Sequence, residues 1–311
     1  MLRSVFFLFS FWTSVVIHAQ SVDTLLISYD TLKGKSIQIY SIPGANLIYS
    51  KPKPIQFIVQ LPKVFVQAAK ETFRKESIPV LATIVVSTGL LIAADQRISC
   101  GVQDFYKSVD ISTYRNYKTI IGFNLGHQCV NAYEAPQNFN TLIYSIGEGS
   151  TSVFLAGGLS LYGLIENDYR ARHTANEIMQ SIIGLGITTQ VLKRMAGRES
   201  PFVATQPSGK WRPFTNFSTY QKHVPMHDAF PSGHLATVMA TVTVLASNYP
   251  EKSWIGPVGY SITGLVGLAM IGNGVHWSGD YPLALGLGYI FGKATVKLNR
   301  ILQQKELKHK D

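Results

Sequence analysis

Six stretches of this 311-residue chain are apolar over lengths that suit helices: residues 78–94, 142–164, 178–191, 235–246, 254–275 and 281–296. A chain with that many must bury them against one another or in lipid, since each offers water little polar surface. Glu148 interrupts the second and Lys293 the last, whereas residues 78–94 run for seventeen positions without a charge. Residues 254–275 alone clearly reach the roughly 20 residues that cross a bilayer. Gly, Ser and Thr recur throughout, as in close-packed helix bundles. The expected fold class is all-α, a bundle of about six core helices. Charged residues make up 15% of the chain, low for a freely soluble protein, and the reading is of a membrane-associated bundle.

The segments outside the bundle read differently. Arg3 followed by an apolar run over 5–17 and then His18-Ala19-Gln20-Ser21 has the form of a secretory signal peptide over 1–20, with an uncleaved anchor as the rival. Residues 21–76 form an N-terminal extension: short apolar pieces punctuated by Gly and Pro over 21–55, a small hairpin or a mobile leader, then an amphipathic helix over 57–75. The helical domain occupies 77–300, and a basic tail 301–311. Export would put Cys100 and Cys129, the two cysteines of the chain, where they can pair, and two buried thiols are the alternative.

A formal charge of +10 favours acidic partners, namely an anionic membrane surface and phosphorylated substrates. Nucleic acid is excluded as a partner, because no recognition motif is present and the cations are dispersed over loops and tail.

Three short segments carry chemistry. Ser232-Gly233-His234, before the apolar run 235–246, reads as a helix start whose unpaired N–H groups lie beside a histidine, an anion cradle with a proton donor. His276 and Asp280 stand at i and i+4, where a carboxylate can orient an imidazole. Upstream, Lys193 and Arg198 close an apolar stretch that breaks at Gly197 and Pro201. Each has a plainer reading as a cap or a macrodipole-stabilising cation. His223, His227 and Asp228 have metal-like spacing, but Pro225 breaks the helix they would need, and no metal or other cofactor is expected. Tyr106, Tyr114 and Tyr117 read as packing residues.

In order and spacing these segments resemble the type 2 phosphatidic acid phosphatase superfamily, which includes bacterial class A acid phosphatases and vanadium haloperoxidases, over about residues 140–297. The family pattern is Lys-x6-Arg-Pro, then Pro-Ser-Gly-His, then Ser-Arg-x5-His-x3-Asp. The second motif is complete at Pro231 to His234. Lys193 and Pro201 fit the first, with Ser200 at the arginine position. His276 and Asp280 fit the third, with Ala269 and Met270 at the Ser-Arg positions. Two phosphate-binding arginines are thus absent, and Arg198, Arg194 and Arg212 are nearby cations that can substitute.

The resemblance implies a metal-independent phosphatase acting on a phosphorylated lipid or a small phosphate ester. His276 attacks phosphorus, Asp280 holds its ring, and His234 protonates the departing oxygen. Lys193, Arg198, Ser232 and Gly233 bind the nonbridging oxygens. The alternatives are a noncatalytic envelope protein that binds anionic lipid, and a vanadate-dependent haloperoxidase. Related envelope enzymes act on the outer side, so the site is expected to face the periplasm, which for a cleaved leader requires fewer than six spans.

Overall fold

A computed structural model describes residues 26–32, 35–53, 55–125 and 128–308, with side chains over 36–53, 55–124 and 134–305. The expected leader at 1–20 lies outside the described residues.

The apolar stretches form helices, mostly longer than their apolar cores. They are α3 (Ile78–Ser108), α5 (Gly149–Ile165), α6 (Tyr169–Ala196), α8 (Gly233–Asn248), α9 (Ile255–Gly272) and α10 (Tyr281–Lys308), with α1 (Gln56–Val59), α2 (Leu61–Thr72), α4 (Phe139–Ile146) and α7 (Phe217–Lys222) as shorter pieces. The stretch 142–164 is split where Gly147 ends α4 and Glu148 opens α5. Polar caps set other boundaries: the Asp168 carboxylate accepts from Ala171 N–H at the start of α6, and the Asn138 side chain accepts from Thr141 N–H at the start of α4.

Two features depart from a purely helical reading. Residues 26–50 form a three-stranded antiparallel sheet, β1 (Leu26–Leu32), β2 (Lys35–Ile42) and β3 (Ala45–Ser50), and not a single hairpin. A second hairpin, β4 (Tyr117–Leu125) with β5 (Gln128–Pro136), follows α3. Its alternation is broken by a register shift near Ile121, so it gave no clean period-2 signal.

Among the described residues, six long helices run end to end. Helices α8 and α10 lie parallel and close: a Cβ on Gly288 would stand 2.4 Å from the Ala236 carbonyl oxygen, so no larger residue fits there. Leu185, Leu235, Ala240, Val266, Met270, Ala284 and Phe291 fill the space between helices. The sheet docks at the far end, where the Tyr40 hydroxyl donates to Asp168 at 2.8 Å and the Arg170 guanidinium stacks over Tyr40 and Tyr249. From Tyr169 to Lys193 the helix rises about 36 Å. The sheet and the histidine segments therefore occupy opposite ends of the bundle.

Two helical segments, Lys75–Ser108 and Ile255–Gly272, are long and apolar enough to cross a membrane, and the apolar window of the first contains no buried residue. Val80, Val85, Val86 and Leu90 on that surface are all more than half exposed. Such a face is stable against lipid, not water. The Cys100 side chain is exposed on α3; that of Cys129 lies outside the described side chains.

Candidate active site

The three motif segments converge at one end of the bundle. Helix α6 brings Lys193 there in its last turn and stops at Gly197, whose φ of 61° is left-handed. A Cβ on Gly197 would lie 1.8 Å from the Arg212 carbonyl oxygen, so glycine is required by both conformation and space. The chain then passes beside residues 211 and 228, with which Arg198 makes isolated bridges. Glu199 fixes this crossing. Its carboxylate accepts the Thr205 and Lys210 N–H groups and pairs with Arg212 at 2.7 Å. Burial works upward on that carboxyl, yet these donors outweigh it and hold the pKa at about 2.

His276 lies in the connection between α9 and α10 and is buried. Its Nδ1 is 2.8 Å from the Ala229 carbonyl oxygen and 3.5 Å from Asp280 Oδ2. A carbonyl only accepts, so Nδ1 carries the proton and Nε2 keeps its lone pair. Asp280, expected to hold the ring, is joined in that place by a nearer orienting group, the Ala229 backbone carbonyl. Asp280 stands behind it, with Oδ2 accepting Trp277 N–H at 2.8 Å.

His234, in the first turn of α8, meets His276 edge to face with ring centroids 5.7 Å apart. Its Nε2 is 3.1 Å from the Tyr144 hydroxyl. The buried Lys193 ammonium lies 3.5 Å from Asp228 Oδ2, and 3.8 Å from where a Cβ on Gly233 would be. Glycine at 233 therefore leaves space between that cation and the start of the helix.

Two expected phosphate ligands occupy other places. Ser232 is fully buried; its Oγ caps α8 by accepting Leu235 N–H at 3.3 Å and lies 3.7 Å from Met270 Sδ. Arg198 is also fully buried. Its Nη1 donates to Asp280 Oδ1 at 2.7 Å, and its Nη2 to Asp95 Oδ2 at 2.5 Å and to the Ser208 carbonyl at 2.8 Å. Trp211 and Trp277 stack on the guanidinium. Arg198 thus braces Asp280 from beneath and does not line an open anion site. The other nearby cations are engaged as well, Arg212 with Glu199 and Arg194 over Tyr220.

Asp95 is the main residue that the motifs did not reveal. Its second oxygen accepts Ser278 Oγ–H and Gly279 N–H, both at 2.7 Å, so a carboxylate on α3 clamps the turn bearing His276 and Asp280. The available signal was a carboxylate immediately after seventeen uncharged residues. Tyr144 had no such signal. His227, set aside as a ligand, stacks on Tyr220 and contacts Thr215 Oγ1. Among the described residues no group of three His, Cys, Asp or Glu is placed to hold a metal.

Burial, reinforced by the Lys193 charge, pushes the His276 pKa down to about 3. The unfolded chain gains a proton as pH falls through about 6.5 that the folded ring refuses until about 3, so this stabilisation is full above 6.5 and is lost progressively below it. Asp280 acts in the opposite sense: burial raises its carboxyl to about 6 against the pull of Arg198, so its share is full below 3.8 and lost as pH rises through about 6. The His276 share is isolated by comparing wild type with His276→Asn. The wild-type thermal midpoint should fall more steeply between pH 6.5 and 4, and parallel curves would contradict the assigned burial of a neutral ring.

The fold and site define a helix-bundle protein with paired histidines beside a buried lysine at one end. The chain matches the family model of the PAP2 superfamily over residues 175–303, less than half of its length. It is similar to a lipid A 1-phosphatase of Porphyromonas gingivalis (strain ATCC 33277), with 31% identity over 67 residues, 21% of this chain and 15% of that protein. The matched segment is thus a small part of that relative. A transmembrane PAP2-type phosphatidylglycerolphosphate phosphatase from Bacillus subtilis aligns over 79% of this chain and 96% of its own, at 16% identity and a TM-score of 0.42.

Proposed function

We propose that this protein is a metal-independent phosphatase that hydrolyses phosphomonoesters or diphosphates, lipid-linked in its natural substrate, through a phosphohistidine. The observation that carries the reading is the edge-to-face meeting of His234 and His276 beside the Lys193 ammonium and the open first turn of α8. The His276 Nε2 lone pair attacks phosphorus, the P–O bond to the leaving group breaks, and His234 gives that oxygen its proton. The imidazolium formed is stabilised by Asp280 and by the Ala229 carbonyl. His234 then takes a proton from water, whose oxygen attacks the phosphoryl group, releasing phosphate and restoring His276.

Lys193 and the N–H of Gly233 face the nonbridging oxygens in this scheme, so charge is met without a metal. The Asp228 carboxylate near Lys193 must yield when an anion enters, and Ser200 and Met270 at the two arginine positions favour a noncatalytic anionic-lipid binder as the second reading. Phosphate release in EDTA tests the two against each other. The lipid A 1-phosphatase among similar proteins and the exposed apolar surface of α3 support a phosphorylated lipid as substrate.

The site end is proposed to face the periplasm. The resemblance to envelope enzymes that act on the outer side supports this orientation. In this orientation residue 26, at the sheet end, lies on the cytoplasmic side. A membrane-impermeant maleimide should label Cys100 in intact cells when Cys129 is replaced by Ser, and should label Lys53→Cys, with both native cysteines removed, only after permeabilisation. The reverse pattern would put the site in the cytoplasm.

A further inference from the structure

Helix α4 is short, yet hydrogen bonds tie it to two other segments of the site end. Asn140 Nδ2 donates to the Ser112 carbonyl at 2.8 Å and to Asn273 Oδ1 at 2.7 Å, in the turn that leads to His276. Asn138 Nδ2 donates to the Tyr114 carbonyl at 3.1 Å, and Asn116 N–H to Thr141 Oγ1 at 3.0 Å. The loop 112–116 is thus stapled along α4, which sets Arg115 beside Tyr144. We propose that Tyr144, backed by Arg115, is a positioning residue for His234: its hydroxyl donates to Nε2, holds the ring's proton on Nδ1, and makes that proton the one given to the leaving oxygen. The inference rests on the phosphatase reading for its link to turnover, whereas the tautomer is a property of the resting protein.

The surroundings of the hydroxyl decide its direction. Tyr144 is buried in the core, and its oxygen lies 3.1 Å from His234 Nε2 and 3.4 Å from Arg115 Nη1. A guanidinium only donates, so the phenolic oxygen accepts from Arg115. If it also accepted from an Nε2–H, its own proton would have no acceptor among the described residues, a cost that a buried hydroxyl avoids by donating to Nε2. Nε2 then keeps its lone pair, and a neutral ring carries its proton on Nδ1. Packing holds the arrangement in place: the Tyr144 and His234 ring centroids are 5.2 Å apart, and the Arg115 guanidinium lies over the Tyr144 and Phe202 rings.

The tautomer has a consequence for proton transfer. A neutral imidazole gives up its Nδ1 proton readily only as Nε2 gains one, and Tyr144 is the donor in contact with Nε2. The phenolic proton therefore moves to Nε2 as the Nδ1 proton moves to the leaving oxygen, and the phenolate left behind faces the Arg115 cation. In the second half, water gives its proton to Nδ1, the Nε2 proton returns to Tyr144, and the hydroxide oxygen attacks the phosphoryl group. His234, Tyr144 and Arg115 end each cycle as they began it.

The test uses the full chain in detergent with isotope-labelled histidine nitrogens, His234→Asn identifying the His234 signals in the NMR spectrum. Wild type should show a neutral ring protonated on Nδ1, with Nε2 a hydrogen-bonded acceptor, and in Tyr144→Phe the Nε2 signal should move to that of a free lone pair or of averaged tautomers. A proton fixed on Nε2 in folded wild type, or signals unchanged in Tyr144→Phe, would overturn the proposal. In turnover, kcat of Tyr144→Phe should fall about tenfold or more on butyl phosphate and less than about twofold on p-nitrophenyl phosphate, with KM kept on both. Added to His234→Asn, the substitution should cost nothing further on butyl phosphate. Equal losses on the two esters, at an unchanged thermal midpoint, would leave Tyr144 a structural role only and sink the idea. Arg115→Gln, which keeps the buried ring, should show the same split between esters in smaller measure, and decides the matter if Tyr144→Phe does not fold. Hydrolysis of neither ester by wild type would sink the phosphatase reading, and the histidine signals would still decide the tautomer.

Discussion

Asp95→Ala is expected to destabilise the protein by about 3–5 kcal/mol and to abolish turnover, the larger of any stability effect we anticipate. The carboxylate is wholly buried and ties Arg198, Ser278 Oγ and Gly279 N–H together. Its removal leaves a guanidinium with Asp280 as its one carboxylate partner, and the turn that carries His276 without its clamp. Asp95→Asn keeps an acceptor oxygen and a similar shape. It should retain more stability than Ala while still misplacing Asp280, because an amide cannot accept from Arg198, Ser278 and Gly279 as a carboxylate does. Thermal midpoints in detergent, beside phosphate release, check both variants. A midpoint for Asp95→Ala within a degree of wild type would show that the Asp95–Arg198–Asp280 network does not hold the site.

The second large effect separates the two histidines. His276→Ala removes the attacking atom and should lower kcat by about 10⁴-fold or more, whatever the leaving group. His234→Asn removes a proton donor, a loss of about 10²–10⁴-fold that depends on how much the leaving oxygen needs a proton. The deficit should therefore be large for butyl phosphate and small for p-nitrophenyl phosphate, whose leaving group departs as a stable anion. Equal deficits on both esters would remove His234 from the role of acid and assign it to binding.

The parts legible in the sequence were those written in local pattern. Apolar runs of helical length announced six of the long helices, and Pro231-Ser232-Gly233-His234 with His276 and Asp280 announced which segments meet. Resemblance drew Lys193 into the same set. Contacts between segments distant in sequence were not legible. Arg198 looked like a substitute phosphate ligand because it lies two residues from the vacant position, but the spacing could not show that Asp95, 103 positions earlier, would occupy its guanidinium. Ser232 read correctly as a helix start, and for that reason its hydroxyl turns inward to cap the helix. The Ala229 carbonyl that orients His276 belongs to the backbone and leaves no mark in side-chain identity. The sheet of β1, β2 and β3 was blurred by its Gly and Pro punctuation, and its Tyr40 and Tyr49 pack with Tyr169 of α6, a contact distant in sequence.

The central claim is that His276 performs phosphoryl transfer although the two family arginine positions hold Ser200 and Met270. The direct measurement is phosphate release from phosphatidate, a polyprenyl diphosphate and p-nitrophenyl phosphate by the purified full chain in EDTA, beside His276→Ala. The account predicts release from at least one of the three by wild type and none above background from the variant. No release from folded wild type on any of them, or equal release by wild type and variant, would contradict it.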